Sequence, residues 1–229
     1  MHSSKRGEKL NRYNADSKPS TFYSFVEKFV APNWSNVLLA VLTGFCVKDY
    51  YFEITGKDIQ HYAYASYLLT IANSLSGLLK YTNDDTYSDL RILLDYAQQV
   101  ICLPMIVTDF LLKYNIAPFE IAIIPTILSL VTLFMFVILE YKRQDLTDLN
   151  MILSLAIYSI CGMEYNLYAC IASIFISIGY FGFKRSEGVC IRKAHQYNLL
   201  MTGFVFFSLL SMDTGISPDK MYAKQLRGW

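Results

Sequence analysis

LRILLDYAQQVICLPMIVTDFLLKY, residues 90–114, is long enough to cross a bilayer, yet it carries Arg91, Asp95, Gln98, Gln99, Asp109 and Lys113. Charges within a spanning helix are costly, so they face a bundle interior, a water-filled cavity or a partner charge. At 100° per residue, Arg91, Asp95, Gln99, Cys102, Ile106, Asp109 and Lys113 fall within about 40° of one line. The remaining surface is mostly Leu, Ile, Val, Tyr and Phe. The segment reads as a helix with one polar edge and one apolar face, turned inward in a bundle.

The rest of the chain supplies that bundle. Of 229 residues, 54% are hydrophobic and 17% charged, against roughly 25% charged in soluble domains. The charges sit between apolar runs, and the net charge of +1 argues against nucleic acid as a partner. Six further segments have span-like composition: 35–51, 59–79, 121–139, 149–163, 167–183 and 197–212. The stretch 59–79 holds no charge and is close to the ~20 residues a crossing needs. Its Ala63, Ser66, Thr70, Asn73 and Gly77 form the small, polar stripe of a helix–helix contact in lipid. Pro125 is expected to kink 121–139. At 15 residues, roughly 22 Å of helix, 149–163 is short; 149–183 therefore reads either as two crossings or as a re-entrant hairpin.

The fold expected is all-α, a multi-span transmembrane helical bundle of six to seven crossings over 31–213. It is flanked by a basic cytoplasmic tail without fixed structure (1–30) and a short C-terminal tail (214–229). Within the first tail, 22–30 is amphipathic and suits a membrane interface. No cleavable signal is recognisable there. With seven crossings, fourteen Lys and Arg lie on the N-terminal side and six on the other, which puts the N-terminus in the cytoplasm and the C-terminus across the membrane. Which membrane is left open.

The candidate intramembrane polar edge is Asp95, Gln98, Gln99 and Asp109, with Asn73 placed to meet Gln98 and Gln99. Asp95 and Asp109 stand about 21 Å apart along the axis and cannot form one acid–base dyad. Each has a base four residues away, Arg91 and Lys113, so the plainest reading is two acids near opposite rims held by i,i+4 partners. His61 and His195 open spans on opposite sides, which argues against a histidine metal site. The five cysteines contain no CxxC and read as small hydrophobes. Neither a phosphate-binding loop nor an HExxH is present. No catalytic, cofactor or metal residue is assigned. The partners expected are the lipid bilayer and a membrane protein, another chain or a second copy of this one.

Several stretches also bear a resemblance: Asn73-Ser74-Leu75, residues 90–106 leading into the Pro125 segment, Ser154-Leu155-Ala156-Ile157-Tyr158, Gly203-Phe204-Val205 through Leu210 with Asp213, and Gln225-Leu226. In their order they resemble the transmembrane protein 187 family, over about residues 60–229. That resemblance implies a small multi-span protein without an established activity. It also implies a further span, bearing aromatic and histidine residues, past the position of Trp229, which this sequence does not contain. The leading functional expectation is a non-enzymatic membrane interaction protein. The alternatives are a membrane enzyme acting on a lipid through Asp95 or Asp109, and a small transporter or channel subunit. They differ in what the polar edge faces: a packed helix, a pocket beside a nucleophile, or a continuous polar cavity.

Overall fold

A computed structural model of the chain describes residues 31–51, 61–79, 88–139, 143–184 and 191–213. Both tails, including 22–30, lie outside the described residues. The chain divides into two units, Met1–Trp34 and Ser35–Trp229, and the contacts that follow are those of the second. The described residues are helical and include no strand. In order the helices are α1 (Ala31–Asp49), α2 (Tyr62–Leu79), α3 (Ser88–Lys113), α4 (Phe119–Ala122), α5 (Ile124–Leu139), α6 (Gln144–Tyr165), α7 (Leu167–Ser177) and α8 (Ile191–Asp213). Between α7 and α8 the helix continues as a π segment, Ile178–Lys184.

Four stretches are long and apolar enough to cross a membrane: Asp89–Lys113, Phe119–Leu139, Gln144–Tyr165 and Leu167–Lys184. The six to seven crossings expected are thus matched in part. The helices α1, α2 and α8 fall outside this set; α8, for example, begins with Arg192, Lys193, His195, Gln196 and Asn198. The segment taken as 149–163 is the apolar part of a longer helix. Residues 144–148 before it, with Asp145, Thr147 and Asp148, and 164–165 after it extend α6 to 22 residues, about 33 Å. Thr147 and Asn150 are buried there, so polar residues belong to this helix instead of ending it.

The centre of the bundle is α3, which packs against α2, α5, α6 and α8. Some 61% of its span is buried, against 28% for Phe119–Leu139, whose Ile127, Val131, Phe134 and Ile138 are exposed. Ile106, Val107 and Phe110 of α3 form the core with Tyr67, Tyr158, Phe204 and Met212. The helix ends on Asn115, whose φ of 50° is left-handed. The Asn115 N–H donates to Leu112 O at 3.1 Å and the Ile116 N–H to Leu111 O at 3.0 Å. These two bonds close the Schellman motif, for which Asn is the usual substitute for Gly.

Prolines stand in both α3 and α5, and Thr126 Oγ1, next to Pro125, donates to Pro104 O at 3.4 Å. The run 121–139 is interrupted at its proline, as expected. The chain turns at Ile123, and Pro125 lies in the first turn of α5, where a missing N–H costs least. Pro104 stands inside α3 and leaves the Val100 carbonyl without its intrahelical donor. Asn150 fills that role: its Nδ2 donates to Val100 O at 3.3 Å and to Ser129 Oγ at 2.8 Å. Thr108 Oγ1 donates to Ala122 O at 2.9 Å, beside the break before α5.

Replacing the buried Asn150 by Ala leaves a buried carbonyl unpaired and is expected to cost about 1–3 kcal/mol. In a Pro104→Ala background, which restores the backbone N–H at position 104, the same change should cost less. A double-mutant cycle on unfolding in detergent measures the difference. Equal costs in both backgrounds would show that Asn150 does not serve that carbonyl.

Candidate functional site: the polar edge of α3

The edge residues meet different neighbours along the helix. At the Asp109 end, Asp109 is 1% exposed. Its Oδ2 accepts the Tyr50 hydroxyl at 2.8 Å and the Ala63 backbone N–H at 2.5 Å. Ala63 is the second residue of α2, and the first N–H groups of a helix have no partner within it. No acidic residue stands in the first turn of α2. Asp109 supplies the missing acceptor from another helix, and its charge lies at the positive end of the α2 dipole. Tyr50, just after α1, ties that end into the same carboxylate.

The pairing expected from spacing alone is thereby corrected. Asp109 is a buried junction of three helices, not an acid near the surface with Lys113 as its principal partner. Lys113 still acts on the carboxylate electrostatically, but its own side chain is exposed.

In the middle of the edge, α2 lies along α3. Ser66 Oγ donates to Cys102 O at 3.0 Å, and Thr70 Oγ1 lies 3.4 Å from Cys102 Sγ. One turn further, Asn73 Nδ2 donates to Gln98 Oε1. The stripe Ala63, Ser66, Thr70 is fully buried in this contact, because short side chains let the two backbones approach. Gln98 and Gln99 are each 2% exposed. Beyond the bond from Asn73, Gln98 Nε2 and both polar atoms of Gln99 have no partner among the described residues.

At the other end Asp95 turns to Lys184, not to Arg91. Lys184 Nζ lies 2.5 Å and 2.6 Å from the two carboxylate oxygens and 5.1 Å from the Tyr197 ring centroid. The π segment brings Lys184 to this point. In the same segment the Tyr180 hydroxyl donates to Asp148 Oδ1 at 2.6 Å and accepts from Gln144 Nε2 at 3.0 Å. The Asp95 side chain is 42% exposed, and ion pairs that open to solvent contribute about 0–1 kcal/mol.

Asp95 and Asp109 are thus not brought together; a separation of fourteen positions holds them at opposite ends of α3. Serine and histidine do meet elsewhere. Ser35 Oγ lies 2.7 Å from His195 Nδ1 and accepts from Asn198 Nδ2 at 3.3 Å. Asn198 also donates to Asn36 Oδ1 at 2.7 Å. Ser35 is wholly buried, however, so this set ties α1 to α8 and does not present a nucleophile. Among the described residues no group of three His, Cys, Asp or Glu is placed to hold a metal ion. Cys46, Cys102, Cys161 and Cys170 are free thiols.

Two further polar junctions escaped the sequence reading. Asn166, between α6 and α7, caps α7 by accepting the Tyr168 N–H at 3.0 Å. Its Nδ2 donates to Tyr114 Oη and to Ser211 O, both at 3.0 Å. Tyr158 Oη lies 2.8 Å from Ser211 Oγ. The signal available was a lone Asn between two apolar runs, which is the composition of a helix cap; its reach to α3 and α8 left no trace in spacing.

No protein-family model matches the chain, and comparisons with curated proteins and with solved structures return no match. The resemblance to the transmembrane protein 187 family stands on its short stretches alone.

Proposed function

We propose that this chain is a multi-pass integral membrane protein with seven crossings and a cytoplasmic N-terminus, acting without catalysis through contacts made within the bilayer. The observation that carries the reading is what the polar edge of α3 faces. Its groups bond packed helices: Asp109 to α1 and α2, Cys102 and Gln98 to α2, Asp95 to the π segment. The Tyr50 hydroxyl beside Asp109 and the Lys184 amine beside Asp95 are tied to those acids, whereas the faces turned outward are apolar. Such a chain offers lipid or another membrane protein a surface for packing, and its partner is a second copy or a different spanning chain.

The crossing number is supported by three helices outside the four most apolar stretches, α1, α2 and α8. Along α2, Ala63, Ser66 and Asn73 follow α3 from Asp109 to Gln98. Running parallel to α3, α1 reaches from Ser35, beside His195, to the neighbourhood of Tyr50, beside Asp109. In α8, Tyr197 lies beside Lys184, which holds Asp95, and Ser211 beside Tyr114. Helices that accompany a crossing helix over this length cross with it. Polar groups they turn inward, among them Ser66, Thr70, Asn73, Asn198 and Ser211, are hydrogen-bonded, which is what lipid demands of a spanning segment.

Two tags test the topology. One placed before Met1 is expected to be reached from the cytoplasm of selectively permeabilised cells, and one after Trp229 only when all membranes are opened. Both tags on one side would refute seven crossings. The non-catalytic reading fails if Asp95→Asn with Asp109→Asn abolishes a cellular phenotype while stability and abundance stay unchanged.

A further inference from the structure

The carboxamide of Gln99 carries a donor and an acceptor, and both lack partners in a residue that is 2% exposed. The remaining donor of Gln98, on the adjacent residue, is in the same condition. Each unmade bond of this kind costs about 1–3 kcal/mol, and a low-polarity interior raises the cost. Leu or Met would fill the same space on α3 without that penalty. Three bare polar atoms on two consecutive carboxamides inside a helix bundle therefore point to an occupant.

The surroundings say what kind. Gln99 is one turn from Asp95, about 6 Å along the axis, and Asp95 is 42% exposed beside Lys184. Its other neighbour on the edge is Cys102, and Tyr197 of α8 lies beside the Lys184 that holds Asp95. One turn along α3, the charges of Asp95 and Lys184 neutralise each other. No net charge selects an ion, and Gln99 asks for a partner that both donates and accepts.

We infer that Gln98 and Gln99 form a binding site, entered past the Asp95–Lys184 pair, for a small neutral group that donates and accepts hydrogen bonds together. Water has this chemistry, and so does the free hydroxyl of a glycerol-type lipid headgroup. The site deepens the proposed function, since the second source requires α3 to cross a membrane; the first does not.

The test uses the full chain in lipid nanodiscs with 15N at the glutamine side-chain amides, the Gln99 signal being identified by its loss in Gln99→Met or, should that variant fold poorly, in Gln99→Leu. Cross-relaxation from water to the Gln99 amide protons, with exchange at least tenfold faster in Lys184→Met, is the result expected for water. A shift of the Gln99 signal on adding diacylglycerol to the nanodisc, absent with phosphatidylcholine alone, identifies the headgroup hydroxyl. A Gln99 signal that shows no water contact and does not respond to diacylglycerol overturns the proposal. The topology tags report separately, so a failure here leaves the reading of α3 as a crossing helix standing.

Discussion

Asp109→Ala is expected to destabilise the protein by about 3 kcal/mol or more, the largest effect of any single change on the α3 edge. The carboxylate accepts from the Tyr50 hydroxyl and the Ala63 N–H in a fully buried setting. Bonds to a charged acceptor contribute about 1.5–3 kcal/mol each, and removing the acceptor leaves both donors unpaired. Asp109→Asn keeps an oxygen in place and should cost markedly less. Asp95→Asn loses only an ion pair open to solvent and should stay within about 1 kcal/mol. Unfolding titrations of the three variants in mixed micelles separate these cases. Equal losses at positions 95 and 109 would contradict the assignment of Asp109 as the cap of α2.

Gly162→Val is expected to be the second severe change, for a reason of space alone. A Cβ at position 162 would lie 2.9 Å from Ala169 Cβ and 3.0 Å from the backbone nitrogen of Cys170. Backbone cannot rotate aside, so α6 and α7 must separate. Overpacking of this sort costs typically about 1–3 kcal/mol, and a branched side chain belongs at the upper end or beyond. The readout is loss of folded, monodisperse protein after detergent extraction, together with a lowered Tm. Gly44→Val is the control, because nothing stands within 4 Å of a Cβ there; a similar loss for both variants would mean that the glycine at 162 is not needed for close approach.

Much of the architecture was legible because lipid-facing and buried helices must both be apolar over a long run, and such runs stand out in any sequence. The six segments marked besides 90–114 all fall on helices, although 149–163 was drawn short. Thr147 looked as if it lay beyond an apolar run that has Asn150 near its start. Both are buried in α6 because Tyr96 and the carbonyl left free by Pro104 supply partners from α3. Similarly, Pro125 announced a break in the helix, whereas Pro104 drew no attention.

By itself, then, the sequence determined that the chain is all-α and that 90–114 is the helix turned inward. Both follow from periodicity, since 3.6 residues per turn places Asp95, Gln99, Cys102 and Asp109 on one edge whatever surrounds them. It also determined that Asp95 and Asp109 cannot act as a pair, because a rigid rise per residue keeps them apart. Only the tertiary structure decided what each edge residue touches. Arg91 and Lys113 were the natural partners at four-residue spacing. The principal contacts are Lys184, 89 residues from Asp95, and Tyr50 and Ala63, 59 and 46 residues from Asp109. Bonds of that separation depend on which helices pack together and in what register, and no local pattern encodes it. The same is true of Gln98 and Gln99: their spacing placed them inside, and only the packed bundle shows that Asn73 answers one of them and leaves the other without a partner.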